Sequence, residues 1–65
     1  MRIVLNGEPA ELRATVLDAA LEELGYGGAT VATAVNESFV PATARAATRL
    51  AEGDRLEIVA PRQGG

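Results

Sequence analysis

Arg2-Ile3-Val4-Leu5-Asn6-Gly7-Glu8-Pro9-Ala10-Glu11-Leu12-Arg13, followed almost at once by Thr15-Val16-Leu17-Asp18-Ala19-Ala20-Leu21-Glu22-Glu23-Leu24-Gly25, is the stretch whose reading decides the fold. Arg2 to Asn6 is rich in β-formers, with Ile3 and Leu5 on one face. Asn6-Gly7 is a strong hairpin signal, because both residues tolerate the positive φ of a type I′ turn. Glu8 to Arg13 is then expected to return antiparallel, with Leu12 turned inward. Pro9 has no N–H, which suits the start of a strand or an exposed edge. In the second piece Thr15 reads as a helix N-cap and Asp18 as an acid in the first turn. Val16, Leu17, Ala20, Leu21 and Leu24 recur at helical spacing, while Asp18, Glu22 and Glu23 fall on the other side. Gly25 stops the helix. A hairpin followed by one amphipathic helix buries both apolar surfaces only when the helix lies across the sheet.

Working outward, Val31 to Val35 is expected to be a third strand. Its faces are Val31-Thr33-Val35 and Ala32-Ala34, and period alone does not choose the buried one. Asn36-Glu37 makes a turn, and Ser38-Phe39-Val40 a short strand that Pro41 ends. Ala42 to Leu50 has weak helical spacing and many small residues, which predicts a single turn or an irregular crossing. Glu52-Gly53-Asp54 is the next turn, and Arg55 to Ala60 the last strand, with Leu56 and Ile58 inward. Right-handed crossovers place the later strands beside the first. The expected class is α+β: a β-grasp, with a mixed four- to five-stranded sheet, one helix across one face, and the other face at least partly in solvent. Residues 1–60 would form this domain and residues 61–65 a tail.

The composition narrows the chemistry. With 65 residues and no cysteine, the domain must be held by one small core, without disulfide or thiolate metal site. No apolar run is long enough to cross a membrane and no signal peptide opens the sequence, so a cytoplasmic protein is expected. Nine acids against six bases give a net charge of −3, which offers no basic patch to nucleic acid. The absence of histidine removes the side chain that titrates near neutrality. Without cysteine or lysine, nucleophiles reduce to hydroxyls with no obvious base. These absences argue against a free-standing enzyme, and no catalytic residue is assigned. Gly25-Tyr26-Gly27-Gly28 has the look of a phosphate loop, but such a loop must open a helix and this one closes one.

The tail reads Pro61-Arg62-Gln63-Gly64-Gly65. Glycine makes up about 7% of an average protein, so a terminal pair arises by chance about once in 200 chains. Lacking Cβ, glycines can thread a channel that other residues would block, and the last carbonyl carbon is unhindered. The Gly65 carboxylate is therefore the candidate reactive group, with Gly64, Gln63 and Arg62 as the segment lying in a partner's channel. The tail alone reads equally as a frayed terminus or an expression scar. Pro61 ends the strand and no large apolar residue follows it, so residues 62–65 are expected to be mobile until a partner orders them. Arg62 would pair with an acidic partner or a nucleotide phosphate, or else be a solvated tail residue. The open face is expected to present apolar or small side chains to partners, with Phe39 and one face of the third strand as candidates; Phe39, one of two aromatics, is either such a docking residue or a core filler.

At this point the sequence resembles the ubiquitin-like sulfur carriers, and among them most closely those of thiamine biosynthesis. The residues that carry the match are Leu5-Asn6-Gly7, Val35-Asn36-Glu37 with Val40-Pro41, Thr48 to Val59, and Gly64-Gly65. Their order, spacing and terminal placement span the whole chain. One departure is Arg62-Gln63, where family members often carry an apolar residue, and it bears on how the tail docks. The resemblance implies a cycle in which a ThiF-like adenylyltransferase, using ATP and Mg, activates the Gly65 carboxylate. Sulfur from a cysteine desulfurase or sulfurtransferase then replaces AMP, and the thiocarboxylate passes to a ThiG-like thiazole synthase. No cofactor is expected on this chain itself. The alternatives are a molybdopterin-synthase small subunit, a protein modifier that forms isopeptide bonds, and a plain β-grasp interaction module.

Overall fold

The computed structural model describes residues 1–61, so the expectations for Arg62, Gln63, Gly64 and Gly65 lie outside the described residues. The elements are β1 (Arg2–Leu5), β2 (Glu8–Glu11), α1 (Leu17–Glu23), β3 (Ala32–Val35), β4 (Ser38–Val40), a 3₁₀ helix (Ala42–Ala47) and β5 (Arg55–Val59). They form one five-stranded sheet in the order β2-β1-β5-β3-β4. β1 and β5 pair in parallel, and the other neighbours are antiparallel. With α1 across one face, this is the expected ubiquitin-like β-grasp.

The first hairpin turns where the sequence directs it. Asn6 and Gly7 have φ of 49° and 86°, the pair of positive values a type I′ turn needs. β2 stops at Glu11, short of the expected Arg13, but the chain does not leave the sheet abruptly. The Met1 ammonium donates to the Leu12 carbonyl at 2.6 Å, and the Leu12 N–H donates back to Met1 at 2.8 Å. Leu12 is thereby held inward and buried.

The start of α1 corrects the reading of Thr15. The N-cap position is Val16, and no side chain caps the helix. The reason is tertiary: Val16 bridges Arg49, the Leu17 N–H donates to the Thr48 carbonyl, and the Leu50 N–H donates to the Thr15 carbonyl, both at 2.8 Å. A first-turn amide that a hydroxyl would otherwise satisfy is met by backbone instead. The C-terminus closes as a Schellman motif, with Gly25 at φ 92°, Tyr26 N–H on Leu21 O and Gly25 N–H on Glu22 O. The core that results comprises Ile3, Leu12, Leu17, Ala20, Leu21, Val40, Leu50, Leu56 and Ile58.

Glu23, on the exposed side of α1, braces the connection into the helix. Its carboxylate accepts the Arg13 N–H at 3.0 and 3.1 Å and the Ala14 N–H at 2.9 Å. These backbone hydrogen bonds, Arg13's first, hold its pKa below the ordinary 4.5. A depressed folded-state value contributes stability that is present above the unfolded pKa and is lost as pH falls through the folded one. Glu23→Gln should therefore lower the melting temperature at neutral pH and flatten the acid limb of the stability curve. Thermal melts of both proteins from neutrality to below the ordinary carboxylate range check this; an unchanged acid limb in the variant would remove Glu23 from the account.

β3 presents Thr33 and Val35 inward and Ala32 and Ala34 outward, and Val31 just before it is partly buried against the core, which settles the choice period left open. Thr33 is 1% exposed and pairs with Val40 and Ile58. A buried hydroxyl must be hydrogen-bonded to be tolerated. Thr33 Oγ1 donates to the Val40 carbonyl at 2.8 Å and accepts from Arg45 Nε at 3.2 Å. Arg45 also donates through Nη2 to the Val31 carbonyl at 2.7 Å, tying the 3₁₀ helix to the start of β3. That helix is the ordered form of the single turn or irregular crossing expected there. β5, at the centre, is braced by both hairpin turns. The Asn6 side chain exchanges two hydrogen bonds with the Ile58 backbone, and Asn36 exchanges two with Arg55.

Candidate docking face and tail exit

The face of the sheet opposite α1 is built by the residues that alternate with the core. In β5, Leu56 and Ile58 are buried, so Arg55, Glu57 and Val59 point away from the helix. In β4, Val40 takes the inward position, which turns Phe39 outward. Phe39 is 69% exposed and Val59 62% exposed, the exposed large hydrophobics among the described residues. The core-filler alternative for Phe39 therefore falls.

Register brings these side chains together. Ala34 of β3 lies opposite Phe39 on one side and Glu57 on the other, and Ala32 lies opposite Val59. Small alanines between larger neighbours leave a shallow apolar strip from β4 to β5. At its end a depression is lined by Thr30, Val31, Ala32, Val59 and Pro61. The described chain therefore leaves the sheet beside this apolar surface. Isolated apolar side chains on a surface need no explanation, but a contiguous strip does.

Of the sequence-derived site residues, only Phe39 lies among the described ones; Arg62, Gln63, Gly64 and Gly65 do not. Ala32 and Ala34 form one of the two faces of the third strand from which a docking face was expected, and the residues missed were Glu57 and Val59. A signal for both was at hand, since Leu56 and Ile58 inward forces Glu57 and Val59 outward. The glycine loop after α1 has an acidic neighbour. A Cβ placed on Gly27 would lie 2.5 Å from Glu22 Oε1, so a carboxylate already occupies the neighbouring space. Among the described residues no cluster of acids could hold a metal ion, and no helix is long and apolar enough to cross a membrane.

The ThiS family model matches residues 3–65, nearly the whole chain and both terminal glycines. The chain belongs to the ThiS family. A solved structure titled thiamine biosynthesis protein (ThiS) from Geobacter metallireducens superposes with a TM-score of 0.84 at 25% identity, covering 100% of both chains. The resemblance to thiamine sulfur carriers drawn from Leu5-Asn6-Gly7, Thr48 to Val59 and Gly64-Gly65 is thus borne out at the level of family. A curated relative from Paramagnetospirillum magneticum, named thiazole synthase, is 39% identical over 66 residues. That match takes in 100% of this chain and 20% of the relative, so the chain spans about a fifth of that protein's length. The ThiS-like part of that relative is therefore a small portion of a much larger protein.

Proposed function

We propose that the protein carries sulfur for thiamine biosynthesis on the carboxylate of Gly65. The observation that carries this reading is the family match through residue 65, which includes Gly64-Gly65. A terminal carboxyl ionises at about 3.3–3.7, so at neutral pH it is an anion and a poor electrophile. It must be activated before sulfur can attack. The sequence has no lysine and no glycine loop that opens a helix, so it carries no recognisable nucleotide site of its own. Activation is then the work of a ThiF-like adenylyltransferase with ATP and Mg. A persulfide sulfur carried by a desulfurase or sulfurtransferase displaces AMP from the acyl adenylate, and a thiol reductant then cleaves the S–S bond to leave the thiocarboxylate. The protein is a co-substrate on this reading rather than a catalyst, and it needs no cysteine because sulfur resides on the terminal carbonyl carbon.

A thiazole synthase is the proposed acceptor, supported by the name of the relative that contains a similar stretch. Phe39 and the apolar strip around it are the proposed docking surface, with Arg62, Gln63 and Gly64 lying in the partner's channel. Incubation with the cognate adenylyltransferase, ATP and a sulfur source is expected to exchange one terminal oxygen for sulfur. Intact-mass and fragment analysis reads this directly. Sulfur on an internal residue, or none anywhere, would sink the proposal.

A further inference from the structure

The charged side chains on and around the open face are unevenly matched. Arg2 pairs with Glu11 at 2.8 Å, and Arg55 pairs with Glu37 at 3.5 Å. Among the described residues these are the ion pairs, and neither involves Glu57. Glu57 stands in the apolar strip itself, with Val59 two residues along its own strand and Ala34 directly opposite it. Beyond Ala34, on the next strand, is Phe39. Neighbouring strands are about 4.8 Å apart, so the Phe39 and Glu57 backbones are separated by about 10 Å with only a methyl group between them. The register thus sets an aromatic residue and a carboxylate on either side of a small alanine.

A partner that covers the strip also covers Glu57. Burying an ionised carboxylate without a counter-charge is strongly unfavourable, so a partner that fits this face must bring a cation to that point. The juxtaposition of ring and carboxylate selects which cation. A guanidinium is flat, stacks on an aromatic face, and donates to a carboxylate in its own plane; an ammonium does less of each.

We propose that Phe39, Ala34 and Glu57 form a receptor for one arginine of the thiazole synthase, seated between ring and carboxylate, and that Glu57 determines which partners dock. This rests on the sulfur-carrier reading and names the chemistry by which its docking face is recognised. The chain's net charge of −3 favours the same kind of surface at longer range.

The test is titration calorimetry of the full-length protein against the cognate thiazole synthase, at low and at high salt. Glu57→Gln should weaken binding about 10-fold or more and make affinity much less sensitive to salt. Glu57→Arg should weaken it about 100-fold, because two cations then meet at one point. Phe39→Leu keeps apolar area but loses the ring face, and should cost a few-fold; Phe39→Ser should cost more. Both positions are exposed, so all variants should melt close to wild type, and circular dichroism confirms that they fold. Wild-type affinity in Glu57→Arg, or an undiminished salt response in Glu57→Gln, overturns the inference. So does a wild-type protein that shows no binding to the synthase. The thiocarboxylate assay is independent of these titrations. A protein that accepts sulfur yet is indifferent at Glu57 keeps its function and loses this inference, whereas Glu57-dependent docking without sulfur loading does the reverse.

Discussion

Deletion of Gly64 and Gly65 is expected to abolish adenylation, while the melting temperature stays within a degree or two of wild type. The proposed reactive carbon is removed, and the new terminus at Gln63 stops two residues short of the position the nucleotide would occupy. Stability should change by no more than about 0.5 kcal/mol, because the buried core found among the described residues runs from Ile3 to Ile58 and the glycines have no side chain to bury. Gly64→Val tests the same point by shape rather than length. Its branched Cβ would block a channel wide enough only for glycine, and loss of at least about 100-fold in adenylation rate is expected with the fold intact. ATP–pyrophosphate exchange measured beside thermal melts separates the two effects. A deletion variant that remains a good substrate, or one that unfolds, would show that the tail is not a separable chemical arm.

Leu56→Ala is expected to remove a large fraction of the protein's folding stability and to lower its melting temperature by many degrees. Leu56 is 0% exposed at the centre of the sheet, where it pairs with Leu5 on one side and Val35 on the other. Emptying such a site costs about 2–5 kcal/mol. A domain of this size has a total stability of about 3–10 kcal/mol, so the loss is a large fraction of it. Val59→Ala, three residues along the same strand but 62% exposed, should change stability by less than about 0.5 kcal/mol. Urea titrations of the pair give the contrast. Equal destabilisation by both would contradict the assignment of the two faces of β5.

What could be read from the chain alone follows the range of each interaction. The Asn6-Gly7 hairpin and the Gly25 stop were legible because the conformations they require are local, and both residues take the positive φ that was expected of them. The N-cap at Thr15 was misread because the Leu17 amide is satisfied by Thr48, a partner no local pattern discloses. Thr33 was opaque for a similar reason. Its burial depends on the Val40 carbonyl and on Arg45, which reaches it from the 3₁₀ helix.

By itself the sequence determined the ordering of hairpin, helix and strands, the family, and the proposed reactive terminus, since these rest on turn chemistry, apolar period and the identity of the last residues. Only the tertiary structure decided that Phe39 faces outward and that Ala34 separates it from Glu57. A period of two assigns residues to a common face but does not say which face the helix covers. Strand order and register decide that, and they placed Thr33, Val40 and Ile58 beneath the helix and left Phe39, Ala34 and Glu57 together on the other side.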